Sequence, residues 1–219
     1  MQRRPLCAAA VGSGVAGRFA ALSSAVSSTF AASGAKAEAS SDASFDPKRT
    51  IVVFYSRRGE NYAPGGTQML EVGHTERLAR RIAEAFGTRI FEVRTVKPYP
   101  ADYRETTVVA ERELEEGKHP EIVGPLPDLT DVDLVVLGHP IWWSRMPAAL
   151  DTFLAQVDLS GKTVAHFCTH AGSSFGSSHR DLRRAEPDAR IIDGPAIVGV
   201  DSAARTDEVL NWASGFIRR

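Results

Sequence analysis

From residue 50 onward, apolar positions follow two alternating rhythms. Thr50-Ile51-Val52-Val53-Phe54-Tyr55 is an unbroken β-branched and apolar run, which predicts a strand covered on both faces. Leu78, Ile82 and Phe86 then recur at steps of four, with Ala79 and Ala83 beside them. That stripe predicts a helix over Thr75–Phe86, ended by Gly87. Arg89–Val93 reads as a short strand, and Tyr103–Gly117 as a helix with an acidic, solvated face. Leu134–Gly138 is a second buried strand, followed by a helix that Pro147 opens and that carries Leu150, Phe153, Leu154 and Val157. Lys162–Cys168 (strand), Ser177–Ala185 (helix), a last strand broken around Gly194-Pro195, and a closing helix over Thr206–Ile217 complete the pattern. Five strands alternating with helices, and needing cover on both faces, predict an α/β fold with a doubly wound five-stranded parallel sheet. Ligands of such sheets sit off the carboxyl ends of the strands. The loops after Tyr55, Gly138 and Cys168 are therefore the candidate site.

Residues 1–45 are different material. They hold 13 Ala, 9 Ser and 4 Gly, and no acid precedes Glu38, whereas Arg3, Arg4 and Arg18 do. Such a stretch reads as a targeting segment and linker. Arg3-Arg4 ahead of the Ala/Val/Gly run is similar to a twin-arginine export signal, which places residues 46–219 in the periplasm or outside the cell. An organellar transit peptide and a plain cytoplasmic tail are the alternatives. Residues 46–219 carry 22 basic and 25 acidic residues, a charge of −3, so no charge field directs the domain to nucleic acid. No run of 18 apolar residues would hold it in a membrane after processing. Cys7 and Cys168 are too few for a disulfide scaffold.

The first loop offers Ser56, Arg57 and Gly59, then His74-Thr75 at a helix start. Hydroxyls and a helix N-terminus after a buried strand form an anion site, with Thr75 as the N-cap hydroxyl and Arg57 supplying charge. No Walker or dinucleotide glycine motif is present. The second loop, His139-Pro140-Ile141-Trp142-Trp143-Ser144, has two adjacent indoles. One can pack into the core while the other offers a flat face for a planar ring. The third, Thr169-His170-Ala171-Gly172-Ser173-Ser174-Phe175-Gly176, is small and rich in hydroxyls, suited to a polar heterocycle edge. Gly172–Gly176 also satisfies the G-x-S-x-G pattern of an esterase, but only His179 follows it, so the order of the catalytic groups fails. His166, Cys168 and His170 alternate toward one strand face, a three-group metal set with no fourth ligand in view, and no metal is assigned.

Taken in order, Val52–Arg57 with Gly73–Glu76, Gly138–Trp143 with Pro147, Tyr99-Pro100, and Ser160–Val164 leading to Phe167–Ser173 resemble the flavodoxin-like FMN proteins, including NAD(P)H-dependent FMN oxidoreductases. The resemblance implies strand order 2-1-3-4-5 and a non-covalent FMN. Ser56, Arg57, His74 and Thr75 would hold its phosphate. Pro140, Ile141, Trp142 and Trp143 would meet the isoalloxazine, and Thr169, His170, Gly172, Ser173 and Phe175 would border its edge. The family has Asn at His74 and Gly at Ser144, Ala171 and Ser174. Residues 59–73 are an insertion, either a lid or an exposed loop. The implied function is electron transfer between NAD(P)H, as co-substrate, and a redox partner or small acceptor such as a quinone, with a homodimer left open. The alternative is an electron carrier without its own substrate, and a flavin-free binding module stands behind both.

Overall fold

The computed structural model describes residues 44–218. The expected targeting segment, with Arg3, Arg4 and Cys7, lies outside the described residues up to Ala43. The elements are β1 (Thr50–Phe54), β2 (Gly59–Ala63), β3 (Gly66–Leu70), α1 (His74–Phe86), β4 (Arg89–Glu92) and α2 (Tyr103–Glu116), followed by β5 (Leu134–Pro140), α3 (Ala148–Leu154), β6 (Thr163–His170), α4 (Ser178–Ala185), β7 (Arg190–Val198) and α5 (Thr206–Ser214).

Five strands form one parallel sheet in the order β4-β1-β5-β6-β7, the doubly wound arrangement that the alternation predicts. Its central strands β1, β5 and β6 are largely apolar on both faces because each face is covered. Ile51, Val53 and Tyr55 join Val135, Leu137 and Val164 on one face, against Leu150 and Phe153 of α3. Val52 and Phe54 join Val136, Ala165 and Phe167 on the other, against Leu78 and Ile82 of α1 and Val209 of α5. Each fully buried Leu or Phe contributes about 1.5–3 kcal/mol of transfer free energy. Among the described residues, no helix is long and apolar enough to cross a membrane.

Four expectations need correction. β7 is continuous through Gly194-Pro195. Its pairing with β6 steps from His166–Asp193 to Cys168–Ala196, so β7 holds one extra residue there. That bulge on an edge strand accommodates a proline with no N–H to donate. α3 stops at Leu154, short of Val157, and α5 stops at Ser214, short of Ile217. Ile217 instead bridges in parallel to Phe45, with the Phe45 N–H donating to the Phe216 carbonyl at 2.7 Å and the Arg218 N–H to the Phe45 carbonyl at 3.0 Å. Finally, the insertion is a regular antiparallel hairpin, β2–β3, in which Tyr62 pairs with Thr67 and Ala63 with Gly66.

Candidate functional site

The carboxyl ends of β1, β5 and β6 open into a cleft of about 610 Å³. At one end α1 begins. Gly73 is its N-cap, where a Cβ would lie 2.2 Å from Ser56 Oγ and 2.7 Å from the Arg57 carbonyl oxygen. Only glycine lets the loop after β1 come this close to the helix. Ser56 Oγ then accepts the Glu76 N–H at 3.1 Å and does the capping. The N–H groups of His74 and Thr75 have no partner among the described residues. Free amides at the positive end of a 13-residue helix make this an anion site.

Thr75 is therefore not the N-cap. It is the second helical residue, buried, with its hydroxyl 2.8 Å from the Thr169 hydroxyl at the end of β6. Arg57 does not offer a free charge either. Its Nη2 donates to the carbonyls of Pro100, Ala101 and Asp102 at 2.7–3.0 Å and its Nη1 to the Glu60 carbonyl, while the buried Nε has no partner among the described residues. The His74 ring stands between Gln68 Nε2 and Ser202 Oγ. Burial, with Arg77 nearby, holds its pKa below the ordinary histidine value. Glu76 keeps its charge beneath the loop. Burial opposes that charge, but bonds from Arg58 and Arg80 outweigh it and hold the carboxyl below the usual range.

The second loop is a tight turn closed by reciprocal bonds between Trp142 and Arg145 of 2.9 and 3.0 Å. Its central residues, Trp143 and Ser144, have φ of 48° and 63°. Two left-handed residues define the primed hairpin turn, which ordinarily takes Asn or Gly. For Ser144 this conformation costs about 1–2 kcal/mol. Ser144→Gly is accordingly expected to raise the unfolding free energy by about 1 kcal/mol, read as a higher urea midpoint. An unchanged or lower midpoint would mean that the turn relaxes at no cost. The two indoles divide their work. Trp142 packs edge-on against Tyr55 and Tyr99, with ring centres 5.5 and 5.0 Å away. Trp143 stays 49% exposed on the cleft, its Nε1 fixed by the Thr107 carbonyl at 3.0 Å.

The second and third loops interlock. The Ser144 carbonyl accepts from the Ser177 N–H at 2.6 Å and from its hydroxyl at 3.1 Å. Gly176, at φ 53°, lies so close that a Cβ would stand 2.2 Å from the Ser144 oxygen. The Ile141 N–H donates to the Thr169 carbonyl, and His170 Nδ1 accepts the Gly172 N–H, both at 2.9 Å. Behind the loops lie two fully buried histidines. His139 Nε2 is 3.3 Å from His166 Nδ1, and His166 Nε2 is 2.8 Å from Asp193 Oδ1. His139 Nδ1 faces the Pro140 carbonyl at 3.3 Å. Two neutral rings carry two ring protons for these three contacts, and burial resists a third. Burial, then the neighbouring His166, pushes the His139 pKa down to about 3; burial also lowers that of His166, against the pull of Asp193.

Of the residues expected at the site, Arg57, His74, Pro140, Ile141, Trp142 and Trp143 line the cleft, as do Thr169, His170 and Gly172. Ser56 and Thr75 support it from behind. Ser173 and Phe175 do not line it; the Phe175 ring instead lies edge-on to the buried His139 and His166, 6.4 and 5.0 Å away. The sequence reading missed the opposite wall, made by Asn61, Tyr62 and Pro64 of the hairpin with Tyr103, Thr106 and Thr107 of α2. Pro64-Gly65 between Tyr62 and Thr67 was the available signal for it. His166, Cys168 and His170 do not converge, and among the described residues no group of three His, Cys, Asp or Glu could hold a metal. The Cys168 thiol is buried and its pKa is pushed up to about 12.

A family model for flavodoxin matches residues 69–215. Among solved structures, the chain is similar to a protein of Bacteroides uniformis described as a flavoprotein, at 26% identity over 75% of this chain and 97% of that one, with a TM-score of 0.60. A protein of Bacteroides eggerthii with the same description is 26% identical over 74% and 97%, with a TM-score of 0.56. A flavoprotein of Lactobacillus acidophilus, solved in complex with FMN, shares the fold at 20% identity over 76% and 99%, with a TM-score of 0.55. A search of the curated proteins found no match.

Proposed function

This chain belongs to the flavodoxin family, and from that premise we propose that it is an FMN-binding oxidoreductase passing electrons from NAD(P)H to a small acceptor such as a quinone. The observation that carries the reading is the juxtaposition, on one cleft, of unpaired amides at the start of α1 and the exposed Trp143 face. An FMN fits such a site. Its phosphate would take the His74 and Thr75 N–H groups, and Gly73 keeps that corner free of a side chain. Its ring would lie between the interlocked loops, against Trp143 and the backbone of Ile141, His170 and Gly172. Bound there, FMN supplies the redox chemistry. The protein's part is to bind, orient and shield. Thr75 and Thr169 hold each other across the strand ends, while His139 and His166 support the loops from below. A walled cleft favours an enzyme over a carrier, because a carrier presents its flavin edge to a protein partner.

The test is the visible absorption spectrum of the purified chain with added FMN, then with NADPH and NADH under anaerobic conditions. The expected result is a perturbed two-band flavin spectrum that bleaches with a pyridine nucleotide. Bleaching only with dithionite would select the carrier. A spectrum identical to that of free FMN would overturn flavin binding.

A further inference from the structure

The hairpin β2–β3 is bolted to the start of α2. The Glu60 N–H donates to the Ala101 carbonyl at 2.9 Å, and Glu60 Oε2 accepts the Tyr103 N–H at 3.0 Å. Arg57 adds its three bonds to the carbonyls of Pro100, Ala101 and Asp102. Gly59, at φ 93°, permits the approach, since a Cβ there would lie 3.0 Å from the Ala101 oxygen. These contacts are backbone-deep, so the hairpin stands as a fixed wall. They set the Tyr62 and Tyr103 rings 6.5 Å apart at 48° on the cleft, with Tyr62 46% exposed. Trp143, pinned to α2 through Thr107, lies on the same cleft. Among the Lys, Arg, Asp and Glu of the described residues, Arg57 alone lines this space, and its guanidinium is spent on carbonyls. A flat, uncharged ring would find two aromatic side chains, Tyr62 and Tyr103, left free beside the flavin.

We propose that Tyr62 and Tyr103, on the hairpin and α2, form a second subsite beside the flavin ring that admits an uncharged planar ring compound and sets the specificity for the substrate meeting the flavin. The proposal rests on the FMN reading above. The test uses the full chain loaded with oxidised FMN and titrated with 1,4-naphthoquinone. Both are oxidised, so binding is read without turnover, by flavin difference absorbance and tryptophan quenching. Tyr62→Ala is expected to raise the naphthoquinone Kd about fivefold. Tyr62→Phe is expected to restore it, and FMN affinity to stay the same throughout. Equal naphthoquinone affinity in wild type and Tyr62→Ala overturns the subsite. A parallel loss of FMN affinity assigns Tyr62 to the flavin site and overturns it as well. A chain with no bound-flavin spectrum before naphthoquinone is added overturns the FMN reading and this proposal together, and that failure is visible at the first step.

Discussion

Gly176→Ala is expected to cost about 3–5 kcal/mol of stability and to weaken FMN binding by at least about tenfold. The new Cβ would sit 2.2 Å from the Ser144 carbonyl oxygen and 2.6 Å from its carbon. Both are main-chain atoms, so the neighbour cannot swing away as a side chain would. The loops after β5 and β6 must part, which breaks the bond from the Ser177 N–H to Ser144. The left-handed φ adds about 1–2 kcal/mol for a non-glycine residue. Gly87→Ala is the control. Gly87 has a similar φ of 66°, with nothing within 4 Å of its Cβ position, and lies at the end of α1 away from the cleft. It is expected to cost about 1–2 kcal/mol and to leave FMN titration unchanged. Equal costs for the two variants in urea unfolding would mean that the loops are not interlocked as described.

The second large effect is a loss of stability on mild acidification. The His139 pKa is lowered to about 3 in the folded chain, by burial first and then by His166, against about 6.5 for an unfolded histidine. Above pH 6.5 both states are neutral and nothing is lost. Below it the unfolded state binds a proton that the folded state does not, so stability falls as pH falls, until pH approaches the folded value. The slope is about 1.4 kcal/mol per pH unit for one such group. The pKa of His166, which stands between His139 and Asp193, is shifted in the same direction. Carboxylates such as Asp193, held low mainly by Arg183 and His166 against the effect of burial, enter only at lower pH. From pH 6.5 to 5 the histidines lowered by burial, His74 and His170 included, lose stability on acidification. Glu113, Asp151 and Glu186, raised by burial, gain it, so the His139 share is read as a difference of slopes. Urea midpoints across that window are expected to fall steeply in the wild type and less steeply in His139→Gln. Parallel slopes would place the acid sensitivity elsewhere.

Why some elements were legible and others not follows from what each one buries. β1, β5 and β6 are covered on both faces, and strands so covered are apolar over most of their length, with His139 and His166 buried only as hydrogen-bonded rings. α1 shows its stripe because one face meets the sheet. The hairpin buries little and is held through backbone carbonyls of Pro100–Asp102, so Gly59–Leu70 shows no alternation to detect. The cap of α1 was hidden for another reason. Thr75 has the right side chain near the right place, but the capping oxygen comes from Ser56, 20 residues earlier, and the true N-cap is a glycine because Ser56 occupies the space. Arg57 was read as a cation by type, and only the fold shows that its two terminal nitrogens are taken up by four carbonyls. The indole pair was separable in advance into one core and one cleft residue, whereas the left-handed backbone at Trp143 and Ser144 runs against residue preference, and the family's Gly at Ser144 was its one signature.

The pairing of Phe45 with Phe216–Arg218 gives the domain a seam rather than two loose ends. Topologically the described chain is nearly a ring, stitched on the side where β1 enters the sheet and away from the cleft at the strands' carboxyl ends. Chain order and fold are then separable. A chain reordered to begin at the Pro64-Gly65 turn, with a short bridge across the seam, would contain every contact described above. The two ends of the described domain thus lie side by side, at the pole remote from the cleft.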